Sequence, residues 1–215
     1  YQNLRQVGAQ TSEENQLPTG LHLGLGVRTV ATSRNFTQGS LQQSSNSLDV
    51  AINGNGFFEV QLPDGTIGYT RDGSFQLDSQ GRLVTSGGLP VANGITVPQG
   101  ATSISISESG VVSATLAGNP QPQQLGQLAM SSFINAAGLQ PVGQNMYKES
   151  AASGAPQQGQ PGTNGLGVMR QGFLETSNVN VVEELVTMIQ TQRAYEMNSK
   201  AIQTSDQMLA KLSQL

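Results

Sequence analysis

Glycine and proline are distributed unevenly along this chain. All 26 Gly and 9 Pro precede residue 178, and the closing stretch NVNVVEELVTMIQTQRAYEMNSKAIQTSDQMLAKLSQL, residues 178–215, has neither. Gly and Pro are the strongest interruptions of a helix. Their distribution therefore predicts one long helix attached to a turn-rich body of another kind. Asn180 followed by Glu183 has capping-box spacing, Glu183 and Glu184 suit the positive end of the helix dipole, and Lys211 suits the other end. From 181 to 214 such a helix runs about 50 Å at about 1.5 Å per residue.

The apolar residues of the helix recur in sevens. Met188, Tyr195, Ile202 and Leu209 form one column, Ala194, Ala201, Met208 and Leu215 the next, and Leu185 and Leu212 extend the face at its ends. A seven-residue repeat falls about 20° short of two turns, so the stripe winds as in a left-handed coiled coil. The flanking column Thr191, Asn198, Ser205 is polar. A half-apolar seam of this kind suits a helix shared among several neighbours better than a two-stranded zipper. No second stretch of the sequence has helical length and period, so the stripe must fold back, meet another copy, or pair with a preceding segment. The start at Tyr1 rather than Met makes the third the expectation.

Before the helix the pattern is β. Short apolar runs between Gly-containing turns mark an antiparallel meander over 48–90: LDVAI, NGNG, FFEVQL, PDG, TIGYT, RDG, SFQLD, SQG, RLVTS, GG. SISIS, ESG and VVSATL make another hairpin at 103–116, and QQLGQLAMSSFI, 123–134, reads as one further strand. Leu21, Leu23, Leu25, Val27 and Thr29 alternate as on one strand face. Residues 150–165 read as a long-reaching or mobile loop, and residues 1–20 as extended or loop-like.

Composition excludes several classes. Charged residues are 11% of the chain, with only Lys148, Lys200 and Lys211 as lysines, and the net charge is −4. No basic stripe is present to neutralise phosphates, so no nucleic-acid partner is expected, and no apolar run approaches the ~20 residues of a membrane span. With no Cys and a single His, His22, a His/Cys metal site cannot be built from this sequence. Asp64 and Asp72 each precede Gly, and Asp78 opens an Asp-Ser-Gln-Gly run, so turn formation accounts for all three carboxylates. GLHLGLG and GTNGLG lack the spacing of a phosphate-binding loop. No catalytic residue, cofactor or metal is expected.

Three blocks, SLDVAINGNGFFEV, YTRDGSFQLDSQGRLVTSGG and TSNVNVVEELVTMIQTQRAYEMNSKAIQTSDQML, resemble the bacterial flagellar rod and hook family. Within it, YQNLRQVGAQTSEENQLPTG resembles an insertion of the rod branch that the hook lacks. The resemblance implies a self-assembling structural subunit and not an enzyme. It implies a homo-oligomeric helical tube, exported through the flagellar secretion apparatus and spanning the periplasm. Proximal rod proteins, hook protein and basal-body ring proteins are the implied partners. A hook subunit and, outside the family, a secreted β-rich adhesin are the alternatives.

The expected fold is mainly β, an irregular antiparallel barrel-like or sandwich-like domain with a long C-terminal α-helix of coiled-coil character. Residues 1–24 are expected as an extended rod-specific segment, 25–175 as an outer β domain, and 176–215 as the helix of the inner tube. Leu185, Met188, Tyr195, Ile202, Leu209 and Leu212 are the expected assembly face. Tyr1, Leu4, Val7, Leu17 and Pro18 lie in a segment that, by the resemblance, is expected to act as a strut stiffening the assembly, with a passive linker as the alternative.

Overall fold

The computed structural model describes residues 2–5, 10–12, 15–16, 21–23 and 32–212. The chain divides into two compact units, Tyr1–Asn35 and Phe36–Leu215. In the first, strands β1 (Gln2–Arg5) and β4 (Leu21–Leu23) pair antiparallel, with His22 opposite Asn3. Between them β2 (Gln10–Ser12) and β3 (Asn15–Gln16) form a second antiparallel pair. The segment expected to be extended or loop-like thus contains two β pairs. Of the alternating stretch 21–29, only Leu21–Leu23 is a described strand, and Leu25, Val27 and Thr29 lie outside the described residues.

The second unit is mainly β. Its strands are β5 (Leu41–Gln43), β6 (Val50–Asn53), β7 (Phe57–Gln61), β8 (Ile67–Thr70), β9 (Phe75–Leu77), β10 (Leu83–Thr85), β11 (Ala101–Ile106), β12 (Val111–Leu116), β13 (Asn119–Gln127), β14 (Met130–Ser132), β15 (Gln140–Gly143), β16 (Met146–Lys148), β17 (Gln157–Gly159), β18 (Val168–Gln171) and β19 (Phe173–Glu175). The helix α1 (Val181–Leu212) follows. A six-stranded sheet has the order β15-β16-β8-β7-β14-β17, and β11-β12-β13 form a three-stranded one. The remaining strands pair in twos: β9 with β10, β6 with β18, and β5 with β19. Among the described residues the sheets are antiparallel and none is closed, in keeping with the expected mainly β fold with one C-terminal helix.

The meander expected over 48–90 is interrupted. β7–β8 and β9–β10 are hairpins, but β6 leaves its sequence neighbour and pairs with β18, Val50 opposite Gln171 and Asn53 opposite Val168. Val50, Ala51 and Ile52 are all buried. A strand buried on both faces carries no alternation to name its partner. The NGNG turn instead makes a sharp corner, with Gly54 and Gly56 at φ of 121° and 139°, which a side chain rarely adopts.

The stretch 123–134 is two strands in two sheets. β13 ends at Gln127, and β14 begins at Met130 beside β7. Leu128 is buried in the core and its N–H donates to the Gly110 carbonyl at 2.9 Å, which fixes the crossing point.

The 150–165 stretch contains a strand. β17 pairs with β14, and Ser153 is buried within a turn bonded to Ser150. Gln158 supplies a reason for the ordering. Its amide donates to both carboxylate oxygens of buried Glu59, at 3.0 and 3.1 Å, and the Ser131 hydroxyl donates to the same carboxylate. A buried carboxylate without such donors is costly, so Glu59 draws β17 onto the sheet.

Period-2 alternation along β7 divides the core. Phe58 and Val60 enter the main cluster with Val50, Ile52, Phe75, Leu83, Met130 and Met169. Phe57 enters a smaller aromatic cluster with Tyr69 and Leu139, against which Phe36, Phe133 and Tyr147 pack. The rings meet edge-on, Tyr69 to Phe133 at 4.7 Å between centroids and Phe58 to Phe75 at 5.1 Å.

Candidate assembly site

The helix is where the sequence placed its signals. Asn180 caps it: its Oδ1 accepts from the Val182 N–H at 3.2 Å and its carbonyl accepts from the Glu184 N–H at 3.0 Å. Glu183 and Glu184 occupy the first turn and Lys211 the last. From 181 to 208 every residue except Ser199 is exposed. Leu185, Met188, Tyr195 and Ile202 are therefore apolar side chains standing in water, Tyr195 at 75% and Ile202 at 63% exposure. Leu209 and Leu212 belong to the helix, but their side chains lie outside the described residues, as do those of Tyr1, Leu4, Val7, Leu17 and Pro18.

The structure adds residues that the seven-residue columns do not include. Val182, Val186, Ile189 and Met197 are also exposed. At about 100° per residue they lie on the side of the helix away from Met188, Tyr195 and Ile202. The helix thus has two apolar sides. These residues fall outside the seven-residue columns because they sit at a different angle around the helix axis. In the polar column, Thr191 turns its hydroxyl inward to the Thr187 carbonyl at 2.8 Å, which reduces its role in any cross-helix bonding. Complete burial of a Leu, Ile or Met side chain is worth about 1.5–3 kcal/mol. Two such sides offer apolar surface in more than one direction.

A short stem carries the helix. β5 and β19 pair over three residues, Leu41 opposite Glu175, Gln42 opposite Leu174 and Gln43 opposite Phe173. Beyond them the Thr176 N–H donates to the Ser40 carbonyl at 2.8 Å, and the Asn178 amide donates to the Thr37 carbonyl at 2.9 Å. Arg71 and Glu175 form an ion pair at 2.8 Å at the root of this stem.

Asp64, Asp72 and Asp78 are turn residues, as expected. Asp64 accepts from the Thr66 N–H at 3.0 Å, Asp72 from the Ser74 N–H at 3.0 Å, and Asp78 from the Gln80 and Arg82 N–H groups, both at 2.8 Å. Hydrogen bonds from Lys148 and Thr66 hold the Asp64 carboxyl well below the usual range. The Arg82 backbone N–H lowers Asp78 most. Among the described residues no three His, Cys, Asp or Glu side chains gather as metal ligands, and no helix is long and apolar enough to cross a membrane.

Two stretches of the chain match known protein families. Residues 51–114 match the Flagellar hook protein FlgE/F/G D1 domain, and residues 170–215 match the Flagellar basal body rod FlgEFG protein C-terminal region. The first falls on the β body and the second on the stem and helix. The chain is 58% identical to the flagellar basal-body rod protein FlgG of Buchnera aphidicola subsp. Acyrthosiphon pisum, over 100% of this chain and 83% of that protein. It is 50% identical to FlgG of Borreliella burgdorferi, over 97% and 80%. It is 40% identical to FlgG of Bacillus subtilis, over 90% and 74%. The chain belongs to the FlgG family of flagellar basal-body rod proteins.

Proposed function

We propose that this chain forms the distal part of the flagellar rod, a rigid hollow shaft that carries torque to the hook and surrounds the export channel. As a member of its family it is a structural subunit of the basal-body rod, serving cell motility. The observation that carries the finer reading is the exposed helix with apolar residues on two sides, which suits a tube wall where each helix touches several others. Leu185, Met188, Tyr195, Ile202, Leu209 and Leu212 form one contact face in this reading, and the β body forms an outer layer. Copies of the chain are the principal partners. Proximal rod, hook and ring proteins meet the shaft at its ends and sides.

Residues 1–24, with Tyr1, Leu4, Val7, Leu17 and Pro18, act as a strut to neighbouring subunits. Removing Val7–Pro18 leaves a tube that assembles but bends.

Electron microscopy tests the assignment, using basal bodies from a host in which this sequence replaces the matching region of its own rod subunit. Straight rods in swimming cells are the expected result. Curved or supercoiled tubes point to a hook subunit, and a failure to form any tube refutes the shaft.

A further inference from the structure

We propose that Arg71 is a positioning residue that braces the helix-bearing stem against the β body, so that stem and body move as one piece. The need for such a brace rests on the rod reading, but its geometry does not. The stem is a ribbon of three residue pairs, and an isolated two-stranded ribbon resists twisting poorly. Arg71, immediately after β8, reaches it from outside. Its Nε donates to Glu175 Oε2 at 2.8 Å, one terminal nitrogen to the Gly56 carbonyl at 3.0 Å, and the other to the Gly54 carbonyl at 3.0 Å. The second oxygen of Glu175 accepts from the Gly39 N–H at 2.9 Å, on the strand side of the stem that enters the body. One guanidinium therefore ties the outgoing strand to the NGNG corner, and one carboxylate ties it to the incoming segment.

The corner itself is held from a second direction. Gln38 accepts from the Gly54 N–H at 2.9 Å and donates to the Ile52 carbonyl at 3.2 Å. Arg71 and Glu175 side chains are only 16% and 12% exposed, so the pair is shielded from the solvent that weakens surface ion pairs. The Arg71 guanidinium carbon also stands 6.0 Å from the Phe57 ring centroid. A planar fork with fixed donor directions resists rotation about the stem axis, whereas a lysine ammonium holds charge without fixing direction. Glu175 lies six residues before Val181, close enough for a fixed strand to set the starting direction of the helix.

The chain has no Cys, so two introduced cysteines take spin labels without background. Labels at Glu184→Cys, in the first helical turn, and Gln121→Cys, on exposed β13, report the stem-to-body distance distribution by pulsed electron resonance of the soluble chain. R71K and R71Q are expected to broaden that distribution about twofold, as a hinge released from the guanidinium fork, while the melting transition of the β body changes little. A lowered melting temperature with an unchanged width means that Arg71 only stabilises, and overturns the proposal. Where R71Q does not fold, R71K and E175Q decide by the same width. The measurement needs no assembly, so failure to form rods leaves its result standing, and a hinged stem does not by itself contradict the rod reading.

Discussion

Gly39 lies so close to the Thr176 carbonyl that a Cβ at position 39 would stand 1.8 Å from that oxygen. The two chain segments that enter and leave the β body are packed backbone against backbone. Gly39→Ala is expected to open the stem and release the Thr176 to Ser40 and Asn178 to Thr37 bonds. Cys-pair distances across residues 40 and 176 check this. The main core lies elsewhere, so its melting transition moves much less than the stem.

Phe58 is fully buried and meets Phe75 edge-on at the centre of the main cluster. Phe58→Ala removes both the ring and its contacts and is expected to destabilise the β body by about 3–5 kcal/mol. Urea unfolding followed by tyrosine fluorescence measures the loss. A change under about 1 kcal/mol would mean that the cluster repacks around the gap.

Ile202 is exposed on the helix and far in sequence from the β core. Ile202→Asp is expected to abolish rod formation and swimming, because a carboxylate in a packed helical wall costs several kcal/mol without a partner, or roughly a hundredfold or more in association. The β body keeps its melting temperature. Normal motility in this variant would show that this side of the helix does not face a neighbour.

Tyr69 is buried, and burial, followed by the charges of Glu59 and Glu149, pushes its phenol up to about 12. Its folded pKa thus lies above the unfolded value of 10.0. The associated stability is complete below pH 10 and is lost as pH rises towards 12, because the unfolded chain ionises first. The total is about 3 kcal/mol, two pH units at about 1.4 kcal/mol each. Denaturation of the parent and Tyr69→Phe proteins between pH 9 and 12 tests this, with a steeper decline expected for the parent. Parallel curves would remove Tyr69 as the source.

The parts of the fold legible in the sequence are those written in neighbouring residues. The absence of Gly and Pro after residue 178 and the Asn180 cap delimit the helix, because helical bonds join residues four apart. Asp64, Asp72 and Asp78 sit in the expected turns, since each carboxylate bonds a residue two positions on. Val111–Leu116 and its hairpin partner Ala101–Ile106 are likewise joined by a short connection. The apolar columns of the helix were legible as a pattern, and the structure adds that Val182, Val186, Ile189 and Met197, on the other side, are exposed as well.

Strand partners distant in the chain were decided only by tertiary structure. β6 selects β18, β5 selects β19, and 123–134 divides between two sheets. Every backbone offers the same donors and acceptors, so a short apolar run such as Val50–Ile52 has no local mark of the strand it will meet. That choice follows from burying Phe57 on one face and Phe58 on the other while giving Glu59 its donors from Ser131 and Gln158. The Arg71–Glu175 brace joins residues 104 apart for the same reason: an ion pair becomes visible only when folding has brought its two halves together.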